Sequence, residues 1–303
     1  GCNQAFCASI SSFTSENDEV IIPTPWYFNH HMWLQMAGVK SIPLDTDANM
    51  NPIIEKAEAL ITDRTRAIVL VSPNNPSGAI YSNQLLQKFF DLCKSNQIRL
   101  IIDETYKDFH PNASQPHTLL ENNNWDQVLT ILYSFSKTYR MTGHRIGALL
   151  TSKENLIEIE KALDTFTVCP PQLGQYAANW GLNNLEAWAA ERRTEILQRA
   201  KHFSEKFQPL SAAGWSLRGC GAYFAFVEHP FEDESNILAP LILRDQGILL
   251  MPGTMFYPKH NPLGSRSFRI AFANIDKNKI STLLERLKDL SYQRLNSKNN
   301  MIN

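Results

Sequence analysis

Short runs of β-branched and aliphatic residues alternate along this chain with longer amphipathic stretches, and that alternation constrains the fold most tightly. Arg66-Ala-Ile-Val-Leu-Val71 and Arg99-Leu-Ile-Ile-Asp103 are apolar at nearly every position. A strand apolar on both faces must be covered on both faces, as in a parallel sheet. Strand-sized runs separated by helix-sized ones therefore predict an α/β chain with a mostly parallel sheet. Strands are expected at Glu19–Ile22, Lys40–Leu44, Arg66–Val71, Arg99–Asp103, Val128–Leu132 and Ile146–Thr151. Helices are expected at Gln4–Phe13, Asn29–Ala37, Pro52–Ile61 and Ser82–Ser95, the last with Ser82 as its cap.

From Gln172 to Phe207 the pattern is helical, interrupted at Asn183-Asn184. Beyond that the character changes. Trp215–Val227 alternates like an antiparallel hairpin, Ile237–Asp245 reads as a helix, and Gly247–Met251 and Phe268–Phe272 read as strands. Lys277–Leu290 closes with a helix. The expected division is a large domain over 1–180, a connecting helical stretch over 181–207, and a small α+β domain over 208–303.

Charge and hydropathy exclude several functions. With 29 Lys+Arg against 30 Asp+Glu, the net charge of −1 leaves no basic footprint for nucleic acid or an anionic membrane. No apolar run nears the roughly 20 residues of a membrane helix, and the start lacks the basic-then-apolar pattern of a secretory leader. Cys2, Cys7, Cys93, Cys169 and Cys220 are odd in number and without paired spacing, which speaks against a disulfide framework or zinc site and for the cytoplasm. His30-His31 lacks matching ligands, so no metal is expected. Asn112-Ala-Ser114 is a glycosylation triplet that matters only in a secreted chain. The chain opens on Gly1 rather than Met, and GCNQAFCASI reads like the inside of a domain, which suggests a fragment.

Four polar residues fall at or just after the C-terminal ends of expected parallel strands: Asn75, Asp103, Tyr106 and Lys137. Ligands of open α/β sheets bind along that edge. Singly, each has an ordinary explanation: Asn75 shapes a turn, Asp103 caps a helix, and Lys137 is solvated. Together they suggest more. Ser134, Ser136 and Arg145 flank Lys137, and two hydroxyls with a guanidinium can hold a phosphate dianion. A lysine beside a phosphate site, opposite a buried carboxylate, is what a pyridoxal phosphate enzyme requires.

The motifs along the chain resemble, in order, those of the class I/II aminotransferases of fold type I. Asn75-Pro-Ser-Gly78 resembles the family's Asn-Pro-x-Gly turn, and Asp103-Glu-Thr-Tyr106 its Asp-x-x-Tyr. Ser134-Phe-Ser-Lys137 resembles its Ser-x-Ser-Lys, and Arg145-Ile-Gly147 the downstream Arg-x-Gly. Pro252-Gly253-Thr-Met-Phe256 and Ser267-Phe-Arg269-Ile resemble its Pro-Gly-x-x-Phe and carboxylate-binding arginine strand. Gly1-Cys-Asn-Gln4 resembles the turn over the cofactor phosphate.

The resemblance implies a large domain with a seven-stranded, mostly parallel sheet, a small α+β domain, pyridoxal 5'-phosphate, a ping-pong exchange between an L-amino acid and a 2-oxo acid, and a homodimer. It implies that Lys137 forms the Schiff base and shuttles the α-proton, and that Asp103 pairs with the pyridinium. Asn75 and Tyr106 would bond the phenolic oxygen, and Tyr27 would stack on the ring, with Trp26 left to core packing. Ser134, Ser136, Arg145 and the backbone N–H groups of Cys2 and Asn3 would hold the phosphate. Arg269 would grip the substrate α-carboxylate, with Asn75 beside it. Selectivity would come from around Tyr27, from Thr254–Tyr257 and from the absent N-terminal segment. Two other readings stand beside aminotransfer: a carbon–sulfur β-lyase on the same site, and a truncated remnant that binds cofactor or partner without turnover.

Overall fold

The computed structural model describes residues 1–112 and 115–299, with side chains to Ser291. The Asn112–Ser114 triplet therefore lies partly outside the described residues. The chain divides into two compact units. The first comprises Gly1–Asp47, Asn51–Asn74 and Ile80–Thr194. In chain order it holds α1 (Cys2–Phe13), β1 (Glu19–Pro23), α2 (Phe28–Met36), β2 (Lys40–Leu44), α3 (Ile54–Leu60), β3 (Thr65–Val71), α4 (Asn83–Ser95), β4 (Arg99–Asp103), β5 (Leu129–Ser134), α5 (Phe135–Thr138), β6 (Gly147–Leu150), α6 (Lys153–Thr167), α7 (Gln172–Asn184) and the start of α8 (Glu186–Lys206).

These strands form one sheet in the order β2-β1-β3-β4-β5-β6. Every neighbour pair is parallel except β5 with β6. Six strands are described where the resemblance led us to expect seven; β6 pairs only with β5 and forms an edge. β3 and β4 are buried almost throughout, as their continuous apolar runs require. On one face, Phe6 and Ile10 of α1, one helical turn apart, pack with Val20, Ile22, Val69, Ile101 and Leu132. Ser82 caps α4, its side chain accepting from the Leu85 N–H at 3.2 Å. Trp26 is buried and stacks on His31 at 4.1 Å. α6 had no counterpart in the sequence reading. Its helix-start signal is Ser152, which accepts from the Asn155 N–H; Leu156, Ile159, Leu163 and Phe166 recur on one face, of which only Ile159 is buried.

The second unit comprises Ala48–Met50, Asn75–Ala79 and the chain from Glu195 onward. It holds the rest of α8, then α9 (Gln208–Ala212), β7 (Ser216–Gly221), β8 (Phe224–Glu228), α10 (Ser235–Gln246), β9 (Met251–Pro252), α11 (Pro262–Ser265), β10 (Ser267–Ala271) and α12 (Lys277–Asn299). Its sheet runs β7-β8-β10-β9, with antiparallel pairs throughout. Phe203, Trp215, Val227, Phe268, Ile280 and Leu287 lie in its core. The Trp215 indole donates to Ser291 Oγ at 2.8 Å, so its one polar atom is satisfied. The expected strand over Gly247–Met251 shrinks to Met251–Pro252. Gly247 ends α10 in the left-handed region, and β10 pairs only with Met251 and Pro252 on that side.

The junction between the units falls at Thr194–Glu195, inside α8 and inside the stretch 181–207 read as the connection. The grouping of Asn75–Ala79 with the second unit has no local signal in the sequence, because it depends on contacts with distant residues. In that unit, a Cβ on Gly78 would lie 2.3 Å from the Gly221 backbone nitrogen. Gly78 also has φ +74°, so both the space and the backbone there demand glycine.

Candidate active site

In the first unit the site begins where the strands end. Asp103 is the last residue of β4 and Ser134 the last of β5, while Tyr27 follows the end of β1. All three lie at the C-terminal edge of the parallel strands. Ser134 Oγ accepts from the Ser136 N–H at 3.2 Å and so caps the short α5 that carries Lys137. Asp108 holds the segment from the other side: Tyr133 OH and Thr138 Oγ1 donate to its Oδ2 at 2.5 and 2.7 Å. The backbone on either side of Lys137 is thereby tied down. Lys137 itself is half-buried, with Nζ 5.9 Å from the centre of the buried Tyr106 ring.

An anion cradle lies beside that lysine. α1 starts after Gly1 with no side-chain cap, so the first N–H groups of the helix, Cys2 and Asn3 among them, need an outside acceptor. The Arg145 guanidinium stands at the same place: a Cβ on Gly1 would meet its Nη2 at 2.7 Å. Arg145 Nη1 donates to Ser136 Oγ at 3.4 Å and to the Thr142 carbonyl at 2.8 Å. A helix N-terminus, an arginine fork and two serines form a donor set for a phosphate.

Gly147 makes this closeness possible. A Cβ there would lie 2.7 Å from the Tyr133 carbonyl oxygen and 3.1 Å from the Cys2 nitrogen, both backbone atoms. Gly147→Ala is expected to destabilise the protein by about 1–3 kcal/mol, because the start of α1 must shift. A melting temperature equal to that of the wild type would contradict this packing.

The second half of the site is a buried carboxylate. Asp103 is 2% exposed. The Thr105 N–H donates to its Oδ1 at 2.9 Å and the Cys2 thiol to the same oxygen at 3.2 Å. His30 Nε2 stands 3.2 Å from Oδ2. Burial alone would raise the Asp103 pKa, but His30 and Thr105 outweigh it and hold the carboxyl below its usual range. A carboxylate kept ionised in a buried pocket suits a cationic heteroaromatic nitrogen. Tyr27 lies near, its OH donating to Asn3 Oδ1 at 3.3 Å and accepting from Asn29 Nδ2 at 2.8 Å. Burial, then the Asp103 charge, raises the Tyr27 pKa and keeps its hydroxyl protonated.

The donor cradle and the buried carboxylate have the chemistry that the phosphate and the ring nitrogen of pyridoxal 5'-phosphate would need.

In the second unit, Arg269 on β10 is half-buried and donates from Nη1 to Asn75 Oδ1 at 2.8 Å. The rings of Phe224 and Phe256 lie 4.5 and 5.4 Å from its guanidinium carbon. Aromatic faces on an arginine strip water from it and direct its remaining donors.

For two residues of this arrangement the sequence reading missed the side-chain role. His30 sits one helical turn beyond Tyr27, and its stacking on Phe6 at 4.0 Å aims it at Asp103. A histidine beside another on a helix carries no such signal. Cys2 was credited with its backbone alone, yet its side chain reaches Asp103. Among the described residues, no cluster of three or more His, Cys, Asp or Glu could hold a metal ion. His144 is exposed.

Known proteins are similar to this chain in sequence and in fold. The family model described as aminotransferase class I and II matches residues 1–287. The chain is 25% identical over 281 residues to aromatic-amino-acid aminotransferase 2 of Thermococcus litoralis, covering 90% of this chain and 70% of that one. It is 25% identical over 280 residues to an aspartate aminotransferase of Pyrococcus abyssi, with the same two shares of 90% and 70%. The crystal structure of the aromatic aminotransferase from Pyrococcus horikoshii OT3 superposes with a TM-score of 0.87 at 25% identity, over 97% of this chain and 78% of that one. This chain belongs to the class I and II aminotransferase family.

Proposed function

We propose that this aminotransferase moves the amino group of an L-amino acid to a 2-oxo acid with pyridoxal 5'-phosphate, as a cytoplasmic homodimer. The observation that carries the reading is the ionised, buried Asp103 in the same unit as the Arg145–Ser136–α1 cradle and Lys137. When bound, the cofactor supplies a carbonyl for the substrate amine and a ring that draws electrons from the α-carbon. Ser134, Ser136, Arg145 and the N–H groups of Cys2 and Asn3 would hold its phosphate. Asp103 would keep the proton on its ring nitrogen. Tyr27 would stack on the ring, and Tyr106 would donate to its phenolic oxygen.

Arg269 binds the substrate α-carboxylate, and Asn75 fixes the guanidinium by accepting one of its hydrogens. Lys137 Nζ would serve as the base for the α-carbon proton. Lys137 would then return the proton, the amino group would stay with the cofactor, and one water would supply the oxygen of the released 2-oxo acid. The second 2-oxo acid runs the same steps in reverse, a ping-pong cycle.

Exposed apolar side chains at Val168, Leu173, Tyr176 and Trp180 support a partner surface in the first unit. The free cysteines support a reducing compartment. No helix among the described residues is long and apolar enough to cross a membrane. The relatives named for aromatic and aspartate substrates make L-phenylalanine, L-tyrosine and L-aspartate the first donors to try.

The test is release of a 2-oxo acid from each donor, strictly dependent on an added 2-oxo acid acceptor after the first turnover. Release of pyruvate and ammonia from a cysteine conjugate, without an acceptor, would point to β-elimination instead. Arg269→Lys keeps the charge and loses the fork. It is expected to raise KM for the amino acid about 100-fold and leave cofactor affinity unchanged. An unchanged KM would remove Arg269 from the substrate site.

A further inference from the structure

The Cys2 side chain has no part in a phosphate cradle, which uses only the backbone N–H of this residue. An alanine would serve that purpose equally. Yet the thiol is 5% exposed and points at the one carboxylate on which the ring chemistry depends. Asp103 Oδ1 accepts from Cys2 Sγ at 3.2 Å and from the Thr105 N–H at 2.9 Å, and Oδ2 faces His30 Nε2 at 3.2 Å. The three groups come from α1, from α2 and from the turn after β4, so the carboxylate is gripped from three sides.

We infer that the Cys2 thiol is a positioning residue for the reaction: its S–H, donated to Asp103 Oδ1, fixes the carboxylate and draws charge from it. It thereby sets how strongly Asp103 pulls on the proton of the cofactor ring. The consequence for the ring rests on the function proposed above. The contact itself does not.

The chemistry of the pair supports the direction of the bond. Burial first, and then the Asp103 charge, push the Cys2 thiol well above its usual pKa, so sulfur keeps its proton and donates. A thiol is a weak donor in water, but a donor to a buried ionised acceptor is worth more. The other titratable groups that act on Asp103 here are His30 on α2 and Tyr27 just before it. Neither bonds Oδ1, so without the thiol Thr105, through its N–H and its side chain, is left to hold that side of the carboxylate. Through its backbone N–H and its side chain, Cys2 also links the phosphate end of the site to the ring-nitrogen end.

The test is a carboxyl carbon NMR titration of Asp103 in cofactor-free protein, with the resonance assigned by its loss in Asp103→Asn. Cys2→Ala is expected to raise the Asp103 pKa by about one unit, a tenfold change in proton affinity. Cys2→Ser, which keeps a donor in nearly the same volume, is expected to recover at least half of that shift. The Cys2 S–H stretching frequency should be higher in Asp103→Asn than in the wild type, a readout that needs no change at Cys2.

With pyridoxal phosphate bound, the pH at which its visible band titrates should move in Cys2→Ala and return in Cys2→Ser. An Asp103 titration unchanged in Cys2→Ala overturns the inference, as does a serine variant that follows alanine. If the NMR shift is present and no visible band forms in any variant, the contact stands and the cofactor reading fails.

Discussion

Lys137→Ala is expected to reduce aminotransfer by about 10⁴-fold or more. General acid–base catalysis by a placed side chain contributes roughly 10²–10⁴-fold, and loss of the amine that engages the cofactor carbonyl adds to that. The loss should be local. Ser134 caps α5, and Asp108 holds Tyr133 and Thr138, so the backbone around residue 137 keeps its place without the lysine side chain. Lys137 is half-buried and forms no part of the main core clusters, so the melting temperature should move little. Phosphate binding by Arg145, Ser136 and the start of α1 should survive, so the variant still takes up the cofactor. Turnover within tenfold of the wild type would remove Lys137 from the chemistry.

Asp103→Asn should cost about 10²–10³-fold in turnover, because an amide cannot hold the ring nitrogen in its cationic form. The same substitution has a second, independent consequence in cofactor-free protein. The folded Asp103 pKa is depressed, so its stability contribution is present above the unfolded carboxylate value, about 3.9, and is lost as the pH falls through the lower folded value. The wild type should therefore lose stability on acidification through that window, and Asp103→Asn should lose less. The neutral amide also leaves His30 Nε2 and the Thr105 N–H without their charged partner, so the variant should be less stable than the wild type at pH 7. Equal turnover, together with parallel acid profiles, would contradict the role assigned to this carboxylate.

What could be read from the sequence follows a physical line. β3 and β4 are apolar on both faces, and few other structures accommodate such runs, so their positions were recoverable to within a residue. The polar residues at their ends then fell on the edge where ligands bind. Ser134, Ser136 and Lys137 lie within four residues of one another, so their chemistry is local and legible. Arg269 and Asn75 are 194 residues apart, and only the resemblance suggested that both serve one substrate group.

His30 was opaque for another reason. Its role depends on Phe6 stacking on its ring and on the packing of α2 over the sheet, neither of which a histidine beside another histidine announces. Cys2 was opaque because its backbone role was a sufficient explanation. α6 carried the signal of a helix, a Ser152 cap and apolar residues at 156, 159, 163 and 166, and the reading passed over it; the stripe is weakly buried, with Leu156 and Phe166 exposed. The strand expected over 247–251 failed because apolar character alone does not supply a hydrogen-bonding partner, and β10 reaches only Met251 and Pro252.

The central claim is that Lys137, Asp103 and the Arg145 cradle form one working cofactor site. The most direct measurement is the absorption spectrum of the purified protein with pyridoxal phosphate, before and after an L-amino acid is added. A Schiff-base band, red-shifted from that of free pyridoxal phosphate, that is absent in Lys137→Ala and that disappears with the amino acid as an equivalent of 2-oxo acid forms, is the predicted result. A band that persists unchanged in Lys137→Ala, or no band at all, would contradict it.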